Sequence, residues 1–351
     1  MRVVVVGASG NVGTSVLRSL ADEPAVDSVL GVARRLPGLD VRKTDWALAD
    51  VSHSDLVPLF RGADVVVDLA WLIQPGRDEQ TLRATNVEGN ARVFEAVAQA
   101  GVPALVYASS VGAYSPGPKD RRVDESWPTG GIESSFYSRH KAEVERTLDR
   151  FEREHPSVRV VRLRPALIFK REAASGIRRL FAGPLLPSPL VRRALIPVVP
   201  KTDRLCFQAV HSYDVGEAYR LAAAGDARGP FNIAAEPVLD VERLSELLGA
   251  RPVPVPPRVL RAGAAITYRL RLQPSEPGWL DMGLAVPLMD VTRAREELGW
   301  TPRHGADEAL TELLDGIREG AGIDTPPLSP YSGGPLRVRE LLTGVGKRAG
   351  L

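Results

Sequence analysis

Arg2-Val-Val-Val-Val-Gly7-Ala-Ser-Gly10-Asn-Val-Gly13 is the stretch that decides the fold. Four consecutive valines predict a strand buried on both faces, as in the middle of a parallel sheet. Glycines at 7, 10 and 13 then predict a tight turn directly into a helix. Glycine permits positive φ and close backbone approach, and a helix N-terminus offers free N–H groups and the positive end of a dipole. That combination suits a pyrophosphate. Gly7, Ser9, Gly10, Asn11, Val12 and Gly13 are therefore the first candidates for cofactor contacts, with a ligand-free strand-turn-helix as the competing interpretation.

Outward from this stretch, β-branched runs at 2–6, 28–33, 64–69, 104–108 and 158–163 alternate with helical patterns. Such alternation is the sequence form of repeated βαβ units. The expected fold class is α/β: a Rossmann-type doubly wound parallel sheet with a smaller, interleaved C-terminal substrate-binding domain. The expected division is a dinucleotide-binding domain over 1–165, to which 203–234 returns, a substrate-binding part over 166–202 and 235–324, and a tail from 325 to 351. Prolines 184, 187, 189, 197 and 200 interrupt any long helix in 166–202, which reads as a lid or insertion. In the tail, Val338-Arg-Glu-Leu-Leu permits a short helix. Where an acid often binds the adenosine ribose, the sequence has Ala33-Arg34-Arg35. Arginine forks pair well with a 2′-phosphate, so Arg34, with Arg35 beside it, favours NADP over NAD; a solvated arginine pair is the alternative.

Phe136-Tyr137-Ser-Arg-His-Lys141 begins a helical pattern, and a spacing of four puts Tyr137 and Lys141 on one face. A phenol titrating near 10 is a poor acid–base catalyst at neutral pH unless nearby positive charge stabilises its phenolate. Lys141 is expected to supply that charge and to hold the nicotinamide ribose. Tyr107-Ala-Ser-Ser110 ends a strand in two hydroxyls at the edge where ligands bind such sheets. Ser110 is the first candidate to hold a substrate oxygen and Ser109 the second.

The glycine loop, Ser-Ser-x-x-x-Tyr, Tyr137-x-x-x-Lys141 and Arg164-Pro165 together resemble the extended short-chain dehydrogenase/reductases, the NAD-dependent epimerase/dehydratase type, over about residues 1–305. The resemblance implies cofactor roles for Asp45-Trp46 at the adenine, for Leu69-Ala70 beside the dinucleotide, and for Asn86, Tyr137, Lys141 and Pro165. It also implies that Tyr137 exchanges a proton with the substrate oxygen while hydride passes between carbon and nicotinamide, with Ser110 orienting that oxygen. Val210-His211-Ser-Tyr-Asp214-Val215 matches a further family segment, whose residues are expected to brace the sheet. The family's arginine before that segment is replaced by Phe207, its Tyr-Gly-Pro by Phe169-Lys170-Arg171, and its His before Leu-Ala by Asp68. These departures favour a reductase or dehydrogenase of a small carbonyl or alcohol. A nucleotide-sugar epimerase or dehydratase with tightly bound NAD is the runner-up, and a non-catalytic NADP-binding sensor a third reading. A homodimer through helices near 86–100 and 138–153 is compatible with the resemblance.

Composition sets outer limits. With 44% hydrophobic and 25% charged residues the chain is ordinary globular material, and a net charge of +2 argues against a nucleic-acid partner. One cysteine, Cys206, precludes an internal disulfide, and five histidines without close pairing predict no metal. The first strand is too short for a signal peptide and no run reaches membrane-spanning length, so a cytoplasmic location is expected. Two stretches lack acids: 173–202 carries Arg178, Arg179, Arg192, Arg193 and Lys201, and 248–275 carries Arg251, Arg258, Arg261, Arg269 and Arg271. They can draw an anionic substrate or an anionic membrane surface, or be a solvated face. Trp71, Leu72, Ile73 and Trp127 are candidates for an apolar substrate pocket or for plain packing.

Overall fold

Valines 3 and 5 of the first strand are buried in one hydrophobic cluster and valines 4 and 6 in another. Period-two alternation with both faces covered is what a central parallel strand requires. In this computed structural model, which describes residues 1–73, 77–181 and 197–330 (with Arg179 and Phe181 as backbone only), the strands are β1 Arg2–Val6, β2 Ser28–Ala33, β3 Thr44–Leu48, β4 Val65–Asp68, β5 Ala104–Ala108, β6 Arg122–Val123, β7 Arg159–Pro165, β8 Leu167–Phe169, β9 Val198–Lys201, β10 Phe207–His211, β11 Gly229–Ile233, β12 Ala235–Leu239, β13 Arg251–Pro254 and β14 Leu288–Met289. The helices are α1 Asn11–Ala21, α2 Val57–Phe60, α3 Glu79–Arg83, α4 Asn90–Gln99, α5 Phe136–Glu154, α6 Ala174–Phe181, α7 Ser212–Ala224, α8 Val241–Leu248, α9 Pro257–Arg269, α10 Gly278–Ala285, α11 Thr292–Glu297 and α12 Ala306–Glu319.

Seven strands form one parallel sheet in the order β11-β7-β5-β4-β1-β2-β3. The chain direction of winding reverses between β4 and β1, which opens a crevice at their carboxyl ends. The doubly wound parallel sheet expected from the sequence is thus present. Each fully buried valine or leucine in it contributes about 1.5–3 kcal/mol.

Outside this sheet, β10 pairs antiparallel with β12 and parallel with β8, β13 pairs with β9, and β14 with β6. Residues 203–234 therefore contribute to two sheets, β11 to the large one and β10 to the small one. The stretch 166–202 is more regular than its prolines suggest, since it carries β8, α6 and β9. Pro184, Pro187, Pro189, Arg192, Arg193 and the possible helix at 338–342 lie outside the described residues.

Candidate active site

Gly7 leaves β1 at φ +82°, and a Cβ there would come within 2.9 Å of the Leu69 carbonyl carbon and oxygen. A Cβ on Gly13 would lie 2.4 Å from the Gly7 oxygen and 2.5 Å from that of Ala8. Only glycine allows this turn, which sets α1 against the ends of β1 and β4. No side chain caps the N-terminus of α1, so its first N–H groups point outward. Asn11 adds a buried Oδ1 without a partner. Uncapped donors and an orphaned polar atom fit the pyrophosphate of a dinucleotide, which Gly10, Asn11, Val12 and Gly13 would hold. Ser9 is buried beside them.

Lys170 braces this turn from below. Its Nζ donates to the Asn11 carbonyl at 2.8 Å, to Thr14 Oγ1 at 2.7 Å and to Ser15 Oγ at 3.1 Å. Burial pushes its ammonium down to about 8, against the opposing charges of Glu172 and Glu312. The sequence showed only that a Tyr-Gly-Pro pattern was missing here.

At the carboxyl end of β2, Arg34 follows the last residue of the strand and is exposed, as is Arg35. Asp45 and Trp46 do not reach the crevice. They pair with Leu30 and Gly31 inside β3, and the Trp46 ring fills the space a Cβ on Gly31 would need. The residues that do emerge at the carboxyl end are Asp50 and Val51, because Ala49 N still donates to the Ala33 carbonyl at 3.1 Å. Burial raises the Asp50 carboxyl, but hydrogen bonds from Ser52 and the charge of Arg34 bring it below the usual range.

The Asn86 side chain is held by backbone partners. Its Oδ1 accepts from Leu72 N and its Nδ2 donates to Leu72 O, both at 2.7 Å, while Asn90 Nδ2 donates to Ala70 O at 3.2 Å. Together they pin the segment 69–72, including Leu69 and Ala70, along the crevice. A π-helical stretch at Ala84–Gly89 presents Asn86 for this. Pro165 ends β7 in the neighbouring core.

Ser135 caps α5, and Tyr137, Lys141 and Glu145 follow at intervals of four on its inner face. The Tyr137 phenol lies beside Ser110, whose Oγ accepts from Gly112 N at 3.0 Å. Burial raises the Tyr137 hydroxyl above its ordinary value, and the neighbouring Ser110 hydroxyl opposes that rise. Lys141 Nζ donates to the Ala108 carbonyl at 2.5 Å, approaches the Tyr107 hydroxyl at 3.5 Å and lies 3.5 Å from the Trp71 ring centre. The groups around the Lys141 ammonium are thus a carbonyl, a hydroxyl and an indole. Burial pushes Lys141 down to about 7 and Asp68 up to about 7, each partly held by the other's charge. Asp68 accepts from Ala70 N, and its Oδ2 is buried without a partner.

Two indoles frame the phenol. The Trp71 ring meets Tyr137 edge-on at 5.6 Å, and the Trp279 ring of α10 lies over it at 4.9 Å. Ile132, Met282 and Val286 form a buried apolar cluster with Tyr137, Trp279 and Val111. A Cβ on Gly112 would fall 2.8 Å from the Tyr137 ring, so glycine seats the phenol. Sequence reasoning found Trp71 but missed Trp279 and Met282, which are remote in the chain. Trp127 is placed elsewhere, donating to Ser115 O and facing Arg121. Ser109 is occupied, donating to Glu145 at 2.5 Å. His211 and Asp214 brace: His211 Nε2 pairs with Glu312, and Asp214 accepts from His304. Among the described residues no cluster of His, Cys, Asp and Glu could hold a metal, and no helix is long and apolar enough to cross a membrane.

A parallel sheet with an uncapped glycine turn at its crevice and Ser110, Tyr137 and Lys141 on the adjoining edge defines a dinucleotide-binding α/β protein of the dehydrogenase/epimerase class. The chain belongs to the NAD dependent epimerase/dehydratase family, whose model matches residues 3–181. An uncharacterized protein of Mycobacterium tuberculosis is 28% identical over 326 residues, 92% of this chain and 31% of that one; the chain thus spans about a third of the length of the first curated relatives it matches. A sterol-4-alpha-carboxylate 3-dehydrogenase (decarboxylating) of Saccharomyces cerevisiae is 23% identical, with 91% of this chain and 98% of that one covered. The structure of MoeE5 in complex with UDP-glucuronic acid and NAD superposes with a TM-score of 0.64 at 24% identity, covering 91% of this chain and 99% of that one.

Proposed function

We propose that the chain is an NADP-preferring oxidoreductase that passes hydride between the nicotinamide and an apolar carbonyl or alcohol. The observation that carries this reading is the wall around Tyr137: two indoles and the Ile132, Met282 and Val286 cluster, with the Ser110 hydroxyl beside the phenol. A site lined this way favours a hydrocarbon framework with one oxygen to hold. Phe207 in place of an arginine also leaves no guanidinium for a substrate diphosphate at that position. The dinucleotide supplies the hydride chemistry when bound. Ser110 orients the substrate oxygen, the Tyr137 hydroxyl delivers or takes its proton, and Lys141 holds positive charge behind them. Neighbours solved with nucleotide sugars and NAD keep an epimerase in view as the competing reading.

The test is to purify the protein without added nucleotide, identify any dinucleotide released on denaturation, and assay carbonyl substrates of graded polarity with NADPH. An empty protein that reduces apolar ketones supports the proposal. Tightly retained NAD⁺ with turnover of nucleotide sugars would overturn it.

Cofactor choice is tested separately. Arg34 sits at the β2 terminus with its charge acting on Asp50, where a 2′-phosphate would approach. Arg34→Ala should weaken NADPH binding by about 10–100-fold, the worth of one charge-assisted bond, and leave NADH binding unchanged. Equal losses for both dinucleotides, read by fluorescence titration, would remove Arg34 from this role.

A further inference from the structure

Of the nine large apolar side chains left exposed among the described residues, six fall in β9, β13, α9 and the turn after it: Val198, Val253, Val259, Ile266, Leu270 and Leu272. Scattered exposed apolar residues are ordinary, but a cluster marks an interaction surface. Helix α9 buries none of its 13 residues. Val259, Ile266 and Leu270 are 58%, 56% and 64% exposed, and their spacing of seven and then four aligns them on one stripe. Gly263 lies on the same stripe, and a Cβ there would meet nothing within 4 Å. That face is open.

Charge singles out the occupant. From Leu248 to Ser275 the chain carries five arginines and no acid. Arg261 pairs with Asp281, whereas Arg251, Arg258, Arg269 and Arg271 are exposed and in no ion pair among the described residues. A second copy meeting this face would set its arginines against these. A protein interface usually takes about 800 Å² from each side, whereas a face about 20 Å long and about 10 Å wide offers roughly 200 Å². A stripe of three large apolar residues flanked by arginines is instead sufficient for shallow insertion at a lipid surface.

We propose that α9 docks on an anionic bilayer, its Val259–Ile266–Leu270 stripe entering the headgroup boundary and Arg258, Arg269 and Arg271 meeting lipid phosphates. The helix packs against α10, which carries Trp279 over Tyr137, so docking would bring the site's apolar wall close to the lipid. The surface does not depend on which reaction the site performs.

Co-sedimentation of the full chain with vesicles tests this. The protein is expected to sediment with an equal mixture of phosphatidylcholine and phosphatidylglycerol, less so as salt rises, and not with phosphatidylcholine alone. Two variants, Ile266→Ser with Leu270→Ser and Arg258→Gln with Arg269→Gln, should each lower the bound fraction by about tenfold. Both sets are exposed, so thermal midpoint and NADPH affinity should stay unchanged and report the fold. Wild-type protein remaining in the supernatant, or sedimenting regardless of both variants, would overturn the proposal. So would a light-scattering mass that halves in the Ile266/Leu270 variant without vesicle binding in the wild type, which would assign the face to a second copy. Failure of the carbonyl assay leaves all of these outcomes readable.

Discussion

Tyr137→Phe should lower kcat for carbonyl reduction by about 10²–10⁴-fold, the range typical of losing a positioned general acid, with dinucleotide binding intact. The substitution removes one oxygen and keeps the ring that packs between Trp71 and Trp279 and against Gly112, so the wall should survive. The dinucleotide's pyrophosphate would be held by the α1 turn, which the phenol does not touch. Burial raises the Tyr137 hydroxyl above its ordinary value, so at neutral pH the group is protonated. In the reductive direction a proton donor is required, and the Tyr137 hydroxyl supplies one throughout the neutral range, where Lys141 and Asp68 are the site groups placed to titrate. In the oxidative direction the phenolate is the required form, so kcat/KM should climb with pH through the alkaline range. A Tyr137→Phe protein with undiminished turnover, or an oxidative rate that falls with rising pH, would remove Tyr137 from the proton-transfer step.

The large sheet was legible because its strands are buried on both faces and read as runs of valine, leucine and alanine. β1, β2 and β5 fall at the expected residues. β3 was not anticipated: it is the edge strand, Asp45 and Leu48 are exposed, and its sequence Thr-Asp-Trp-Ala-Leu lacks an apolar run. Missing it also hid that Asp45 pairs within the sheet and that Asp50 follows at the carboxyl end of the strand. Ser110, Tyr137 and Lys141 could be found because motif and local spacing put them together. Trp279 and Met282 could not, because only the packing of α10 against the start of α5 brings them to the phenol, and a Cβ on Gly278 would come within 2.2 Å of the Ser134 carbonyl there. Lys170 and Asp68 were visible only as departures from a pattern. Burial gives each its character, and burial is not written in a single residue.

Glu145→Gln should destabilise the fold by about 3–5 kcal/mol, the usual consequence of removing one partner from a buried ion pair. The Glu145 carboxylate is 1% exposed and accepts from Arg162 Nη1 at 2.8 Å, from Arg164 Nε at 2.9 Å and Nη2 at 3.0 Å, and from Ser109. Arg162 keeps Asp149 and Glu152 as partners, but Arg164 would be left with the Tyr114 hydroxyl and the Glu125 carbonyl, both neutral. An uncompensated guanidinium in the core is the source of the loss. The same network ties α5 to β7 two turns from Tyr137, so the variant should also lose activity through misplacement of the phenol. Burial raises the Glu145 carboxyl, but Arg164 and Arg162 outweigh it and bring the group down to about 2 from its ordinary 4.5. A depressed folded-state value means the stabilisation is fully present above about pH 4.5 and is lost as pH falls toward 2. Wild-type stability measured by urea unfolding should therefore drop from pH 5 toward pH 3, and the Glu145→Gln protein should show a shallower drop from a lower start. Parallel acid profiles for the two proteins would show that this carboxylate is not what acid attacks first.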